Sequence, residues 1–216
     1  MTKADFTNSP GKHQSRQENL AFVEKHLCYM VGGILRGTWV EMCGTPDETF
    51  TLLKTAGVLQ PGVGKYIGVS NVLENVARNR EKFAADIQAG IADWIYGEWD
   101  HVLYSLGQDP DQVPVVVNFD PYNGPGCPLT QLTKGTLQQV RKFARMKGYC
   151  ILLMYFCLRG IGQESPLDDP ALREYMDFLH GEFGFRPPVG KYSSSRGPMA
   201  VMRVTVAGSH DPRTSL

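Results

Sequence analysis

The chain lacks net charge: 22 Lys and Arg balance 22 Asp and Glu. No overall basic field advertises nucleic-acid or membrane-surface binding, so any such contact needs a local patch. Cysteine is sparse and scattered. Cys28, Cys43, Cys127, Cys150 and Cys157 are odd in number and contain no Cys-x-x-Cys pair, which argues against a disulfide framework or a zinc site. The five histidines, His13, His26, His101, His180 and His210, have no metal-ligand spacing, so no metal is expected. No stretch approaches the roughly 20 apolar residues that span a bilayer, and the polar N-terminal segment has no signal-peptide h-region. The expected setting is cytoplasmic, without a membrane, and with Cys43, Cys150 and Cys157 as reduced core residues. A Gly-x-Ser-x-Gly elbow, a phosphate-binding loop, internal repeats and low-complexity tracts are also absent, which removes the serine-hydrolase, P-loop and solenoid readings.

What is present suits one large domain: 216 residues, 42% of them hydrophobic, are enough for a substantial core and too few for two ordinary domains. Residues 1–17 read as a polar N-terminal arm, broken by Asn8, Ser9, Pro10 and Gly11, and residues 18–216 as the domain. Leu20, Phe22, Val23, Leu27, Met30, Val31 and Leu35 recur at helical spacing from Glu18 onward, with Gly37 as a stop. A strand from Thr38 to Cys43 meets the turn Gly44, Thr45, Pro46, and a helix starts at Asp47 and runs through Lys54. A second strand spans Lys65 to Val69, and Ser70 with Glu74 offers helix-start chemistry for Val72 to Phe83. Asp86 to Asp93 is expected as a third strand, Trp94 to Leu106 as a helix, Thr130 to Met146 as another, Cys150 to Leu158 as a strand and Leu172 to Leu179 as a helix. Gly190 to Ser194 and Met199 to Val206 close the chain as a hairpin. Strands alternating with helices imply right-handed parallel βαβ units, five parallel strands plus the terminal pair.

The densest chemical signal is Val115, Val116, Val117, Asn118, Phe119, Asp120, Pro121, Tyr122, followed by Asn123, Gly124, Pro125 and Gly126. Three β-branched residues behind Pro114 suit a strand covered on both faces, and the run after Tyr122 prevents immediate helix formation. Ligands of open α/β sheets bind at strand carboxyl ends, which places Asp120 and Tyr122 where a site would form. Asp-Pro-Tyr also serves as plain turn chemistry, and both uses stay open on the motif alone. Arg141, Lys142, Arg145 and Lys147 form a basic edge that suits phosphates or simply complements a helix C-terminus.

The order of these elements resembles the class I S-adenosylmethionine-dependent methyltransferases over roughly Thr38 to Val206. The resemblance implies a Rossmann-like, doubly wound, mostly parallel seven-stranded sheet with a C-terminal antiparallel hairpin, and S-adenosylmethionine as cofactor. By the same resemblance Glu41, Cys43 and Gly44 lie at the cofactor's amino-acid part, Ser70 and Asn71 at its ribose, and Asp93 and Trp94 at its adenine. The family's glycine-rich loop retains only Gly44 here, Pro46 removes a backbone donor, and the ribose carboxylate is replaced by Ser70 and Asn71. Asp120, Pro121, Tyr122 resembles the Asp/Asn-Pro-Pro-Tyr/Phe motif of enzymes that methylate exocyclic amino groups of bases, with one proline missing. That likeness implies that Asp120 accepts the hydrogens of the acceptor amine, and that Tyr122 stacks on a base drawn from RNA or single-stranded DNA. Positioning can suffice for methyl transfer without a strong base. Two other readings are carried: a methyltransferase-fold binding or assembly protein without catalysis, and a methyltransferase for a small molecule or protein.

Overall fold

The computed structural model describes residues 10–27, 29–44, 47–120, 131–157, 177, 180–181, 189–194 and 197–208. The first helix, α1 (Pro10–His26), opens eight residues earlier than the apolar spacing indicates and ends earlier too. Proline suits a first helical turn, where its missing N–H costs nothing. Residues 30–35 correct the expected helix: β1 (Met30–Val31) and β2 (Ile34–Leu35) pair antiparallel across Gly32 and Gly33, at φ 62° and 79°. Two consecutive glycines with positive φ make the two-residue hairpin turn that other residues strain to adopt.

Next come β3 (Gly37–Met42), α2 (Glu48–Thr55), β4 (Gly64–Ser70) and α3 (Leu73–Lys82). Each lies within a residue or two of its expected place. The expected strand over Asp86 to Asp93 is corrected: α4 (Ala84–Gln88) occupies its first half, and the strand β5 is Ala92–Tyr96. The alanines that weakened that segment as a strand favour a helix, and Gly90, at φ 75°, ends it. The next helix, α5 (Trp99–Leu106), therefore starts five residues later than expected, after Gly97. The chain continues through β6 (Pro114–Phe119), α6 (Gln131–Lys147), β7 (Tyr149–Cys157), β8 (Val189–Ser194) and β9 (Gly197–Ala207). The helix expected at Leu172 to Leu179 falls almost wholly outside the described residues.

Among the described residues seven strands form one sheet in the order β5-β4-β3-β6-β7-β9-β8. The pairs from β5 through β7 are parallel, while β9 runs antiparallel to both β7 and β8. This is the expected doubly wound sheet with its closing hairpin. Two apolar layers sandwich it. On one face Val40, Val117, Phe119, Leu152 and Met154 pack with Leu103 of α5 and Leu137, Val140 and Phe143 of α6. On the other, Trp39, Trp94, Ile151 and Leu153 meet Leu20 and Val23 of α1, Phe50 and Leu53 of α2, and Val76 of α3. Gly68 is required there: a Cβ on it would lie 2.5 Å from the Trp94 indole. No helix among the described residues is long and apolar enough to cross a membrane.

Candidate active site

The winding reverses at β3, since β4 and β5 build outward on one side and β6 and β7 on the other. In such sheets the crevice for ligands opens at the carboxyl ends of the two strands that flank the reversal, here β3 and β6. Glu41 and Asn118 stand opposite each other in that pair. The Asn118 Nδ2 donates to Glu41 Oε2 at 2.7 Å, and the Thr49 Oγ1 of α2 donates to Oε1 at 2.8 Å. Burial, reinforced by the charge of Asp47, pushes the Glu41 carboxyl up from an ordinary 4.5 to about 8, while Arg16 and the two hydrogen bonds oppose the rise. Near neutral pH this carboxyl is held largely protonated. Asn118 is buried, and its Oδ1 has no hydrogen-bond partner among the described residues. Two residues on, and so on the same side of the strand, Asp120 sits at the mouth in an ion pair with Lys12 of α1, 3.1 Å from Nζ to Oδ2.

The loop leaving β3 is pinned from α3. The Asn79 Nδ2 donates to the Gly44 carbonyl at 2.9 Å, and its Oδ1 accepts from the Asp47 N–H at 3.2 Å. Asp47 caps α2 by accepting from the Phe50 N–H at 3.0 Å, and its other oxygen accepts from the Tyr66 hydroxyl at 2.7 Å and the Trp94 Nε1 at 2.9 Å. Every oxygen of this buried carboxylate is thereby engaged in holding the layer together. Burial pushes the Cys43 thiol well above 9.0, with the charges of Asp47 and Glu41 adding to the rise, so Cys43 is a neutral core thiol and no nucleophile. Thr45, Pro46, Pro121 and Tyr122 lie outside the described residues.

Two expected adenine-side residues are placed elsewhere. Asp93 lies inside β5, not beyond its end, and its Oδ1 accepts from the Trp94 N–H at 2.7 Å and Arg80 at 3.2 Å. Trp94 is fully buried, stacked on Phe83 at 5.0 Å and edge-on to Phe50 at 5.1 Å. Its indole serves the core and cannot present a face to a ligand. The misplacement follows from the strand boundary: shifting β5 toward the C-terminus turns a residue after the strand into a residue within it. The true carboxyl end of β5 is Tyr96, paired with Ser70 in the sheet and 58% exposed. Beyond Ser70 and the exposed Asn71, Val72 and Leu73 are 47% and 63% exposed. These three exposed apolar residues lie at the carboxyl end of β5 and just beyond that of β4, a placement that the sequence expectations do not include. A signal existed: Val72 and Leu73 are apolar at a helix start, where polar capping residues usually stand. Among the described residues no group of His, Cys, Asp and Glu is placed to hold a metal ion.

No protein-family model matches the sequence, and no curated protein matches it. Solved structures do match in shape. An O-methyltransferase from Bacillus cereus in complex with SAH aligns with a TM-score of 0.62 at 11% identity, covering 93% of this chain and 82% of that one. The O-methyltransferase TomG from Streptomyces achromogenes, in complex with SAM, aligns at 0.61 and 13% identity, over 92% and 81% of the two chains. An rRNA methylase from Streptococcus thermophilus aligns at 0.51 and 13% identity, over 92% and 98%. The strand order, the antiparallel β9 and these likenesses together give the protein the fold of the class I S-adenosylmethionine-dependent methyltransferases.

Proposed function

We propose that the protein transfers a methyl group from S-adenosylmethionine to an exocyclic amino group of a base in RNA or single-stranded DNA. The observation that carries this reading is the juxtaposition of Glu41, Asn118 and Asp120 at the sheet's point of reversal. The residues present fit such a cofactor at its nucleoside end. Exposed Asn71 offers a ribose partner, Ser70 is buried with its Oγ accepting from the Val72 N–H at 3.2 Å, and Val72, Leu73 and Tyr96 provide apolar surface for a purine. At the other end Gly44 permits close approach of an amino-acid moiety, and Glu41, once ionised, offers counter-charge to an ammonium. When bound, S-adenosylmethionine supplies an electrophilic methyl group on a sulfonium. Asp120 would accept the hydrogens of an acceptor amine, hold its lone pair toward that methyl and keep it aligned, while Tyr122 would stack on the base.

The test is calorimetric titration with S-adenosylmethionine, followed by labelled methyl transfer to mixed-sequence single-stranded RNA, for the wild type and Asp120→Ala. Binding in both proteins with transfer lost in the variant is expected. Binding without transfer to nucleic acid would turn the reading toward a small-molecule or protein acceptor. One observation favours a binding or assembly role without catalysis: the loop after β3 is tied to Asn79, and Asp47 is fully engaged. No binding at millimolar cofactor would select that role.

A further inference from the structure

One face of α1 changes character along its length. Lys12, Ser15, Arg16 and Asn19 form its N-terminal, polar part and Leu20 and Val23 its apolar part, at the three- and four-residue steps of a single helix stripe. The apolar part is anchored by burial in the core layer. The polar part is held by ion pairs and hydrogen bonds to α2, β7, β9 and the end of β6. Lys12 pairs with Asp120 of β6, Arg16 with Glu48 in the first turn of α2, and the Asn19 amide donates to the Tyr155 hydroxyl of β7. Arg203 of β9 donates to Asn19 Oδ1 at 2.7 Å and to Glu18 Oε2 at 2.9 Å. Lys12 thus occupies an oxygen of the carboxylate assigned above to the acceptor amine.

We propose that the first turn of α1 forms a gate over the crevice, that the Lys12–Asp120 ion pair is its latch, and that an acceptor amine reaches Asp120 only after Lys12 leaves. The latch is built to be weak. Its side chains are 23% and 29% exposed, and a pair so placed shifts an equilibrium by roughly fivefold at most. It is also open to screening by salt. Buried Ser15, Arg16 and Asn19, together with the apolar part, keep α1 attached while its first turn swings, so opening needs no unfolding of the core. The role of the gate rests on the proposed function, whereas the latch itself does not.

Hydrogen exchange resolved along α1 tests the latch. In Lys12→Met, which keeps helix propensity nearly constant, amides of residues 14–17, bonded to the carbonyls of the first turn, are expected to exchange roughly fivefold faster, with 20–26 unchanged. High salt should do the same to the wild type, and the double reversal Lys12→Glu with Asp120→Lys should restore protection. Exchange that ignores the substitution, the salt and the reversal would overturn the latch. The gate is read from methyl transfer to single-stranded RNA: Lys12→Met should lower KM by a similar factor with little change in kcat. A latch that opens in the exchange experiment while KM stays put would overturn the gate. Transfer absent from wild type and variant alike would instead count against the proposed function, leaving the exchange result to decide the latch.

Discussion

Replacing Glu41 with glutamine should make the protein more stable at alkaline pH, and the reason is the proton that the fold holds on this carboxyl. In the unfolded chain the group titrates near its ordinary 4.5; in the fold it titrates near 8. Between those values the folded state binds more protons than the unfolded state, so wild-type stability falls as pH rises through the window and levels off above it. Each pH unit of the window costs about 1.4 kcal/mol, which caps the loss at about 5 kcal/mol. Glu41 retains partial solvent contact and Arg16 lies close enough to favour its charge. A measured fall of about 2–4 kcal/mol is therefore expected. In Glu41→Gln the amide still accepts from Thr49, and its NH2 can donate to the Asn118 Oδ1 after that side chain turns over. The variant should lose most of the pH slope and exceed the wild type above the window. Asp47, whose carboxyl is also raised by burial, leaves a residual slope of the same sign. Urea unfolding followed by the fluorescence of the buried Trp39, Trp94 and Trp99, at pH values below, within and above the window, reads the difference. A variant with the wild-type slope, or one less stable than the wild type at the alkaline end, would refute the argument.

Asp47→Ala should cost about 4 kcal/mol in the same assay, because it deletes a helix cap and leaves the buried Tyr66 hydroxyl and Trp94 indole N–H unpaired; a loss below about 1 kcal/mol would mean that the cap alone matters. Tyr96→Ala should weaken S-adenosylmethionine binding by roughly tenfold while shifting stability by no more than about 0.5 kcal/mol, since the side chain is exposed. Calorimetry and urea unfolding separate the two effects, and unchanged affinity would remove Tyr96 from the cofactor pocket.

Much of the alternation of strands and helices could be read from the chain, because a strand such as β6 is a short β-branched run opening at proline and a helix such as α6 repeats its apolar residues along one face. Those local signals also located Asp120, since the apolar run of β6 ends abruptly at a charge. They failed where local preference was divided. Residues 30–35 continue an apolar helical spacing, yet two glycines at positive φ turn them into a hairpin. Residues 84–88 and 92–96 share a stretch with mixed propensity, and its division set whether Asp93 and Trp94 faced a ligand or the core. Periodicity cannot settle this, because alternation tells which residues share a face but not where the strand ends or with which register it pairs.

The sequence by itself determined the main alternation of strands and helices, the right-handed parallel βαβ units closed by a hairpin, and the strand that delivers Asp120. Only the tertiary structure decided which polar residues meet. The pairing of Glu41 with Asn118, 77 positions apart, and of Lys12 with Asp120, 108 apart, depends on which strands become neighbours and on where α1 lies. The engagement of Asp47 by two buried aromatic residues is of the same kind. Such contacts leave no local pattern in the chain, because their energy comes from desolvation and hydrogen bonding between segments that sequence spacing does not relate.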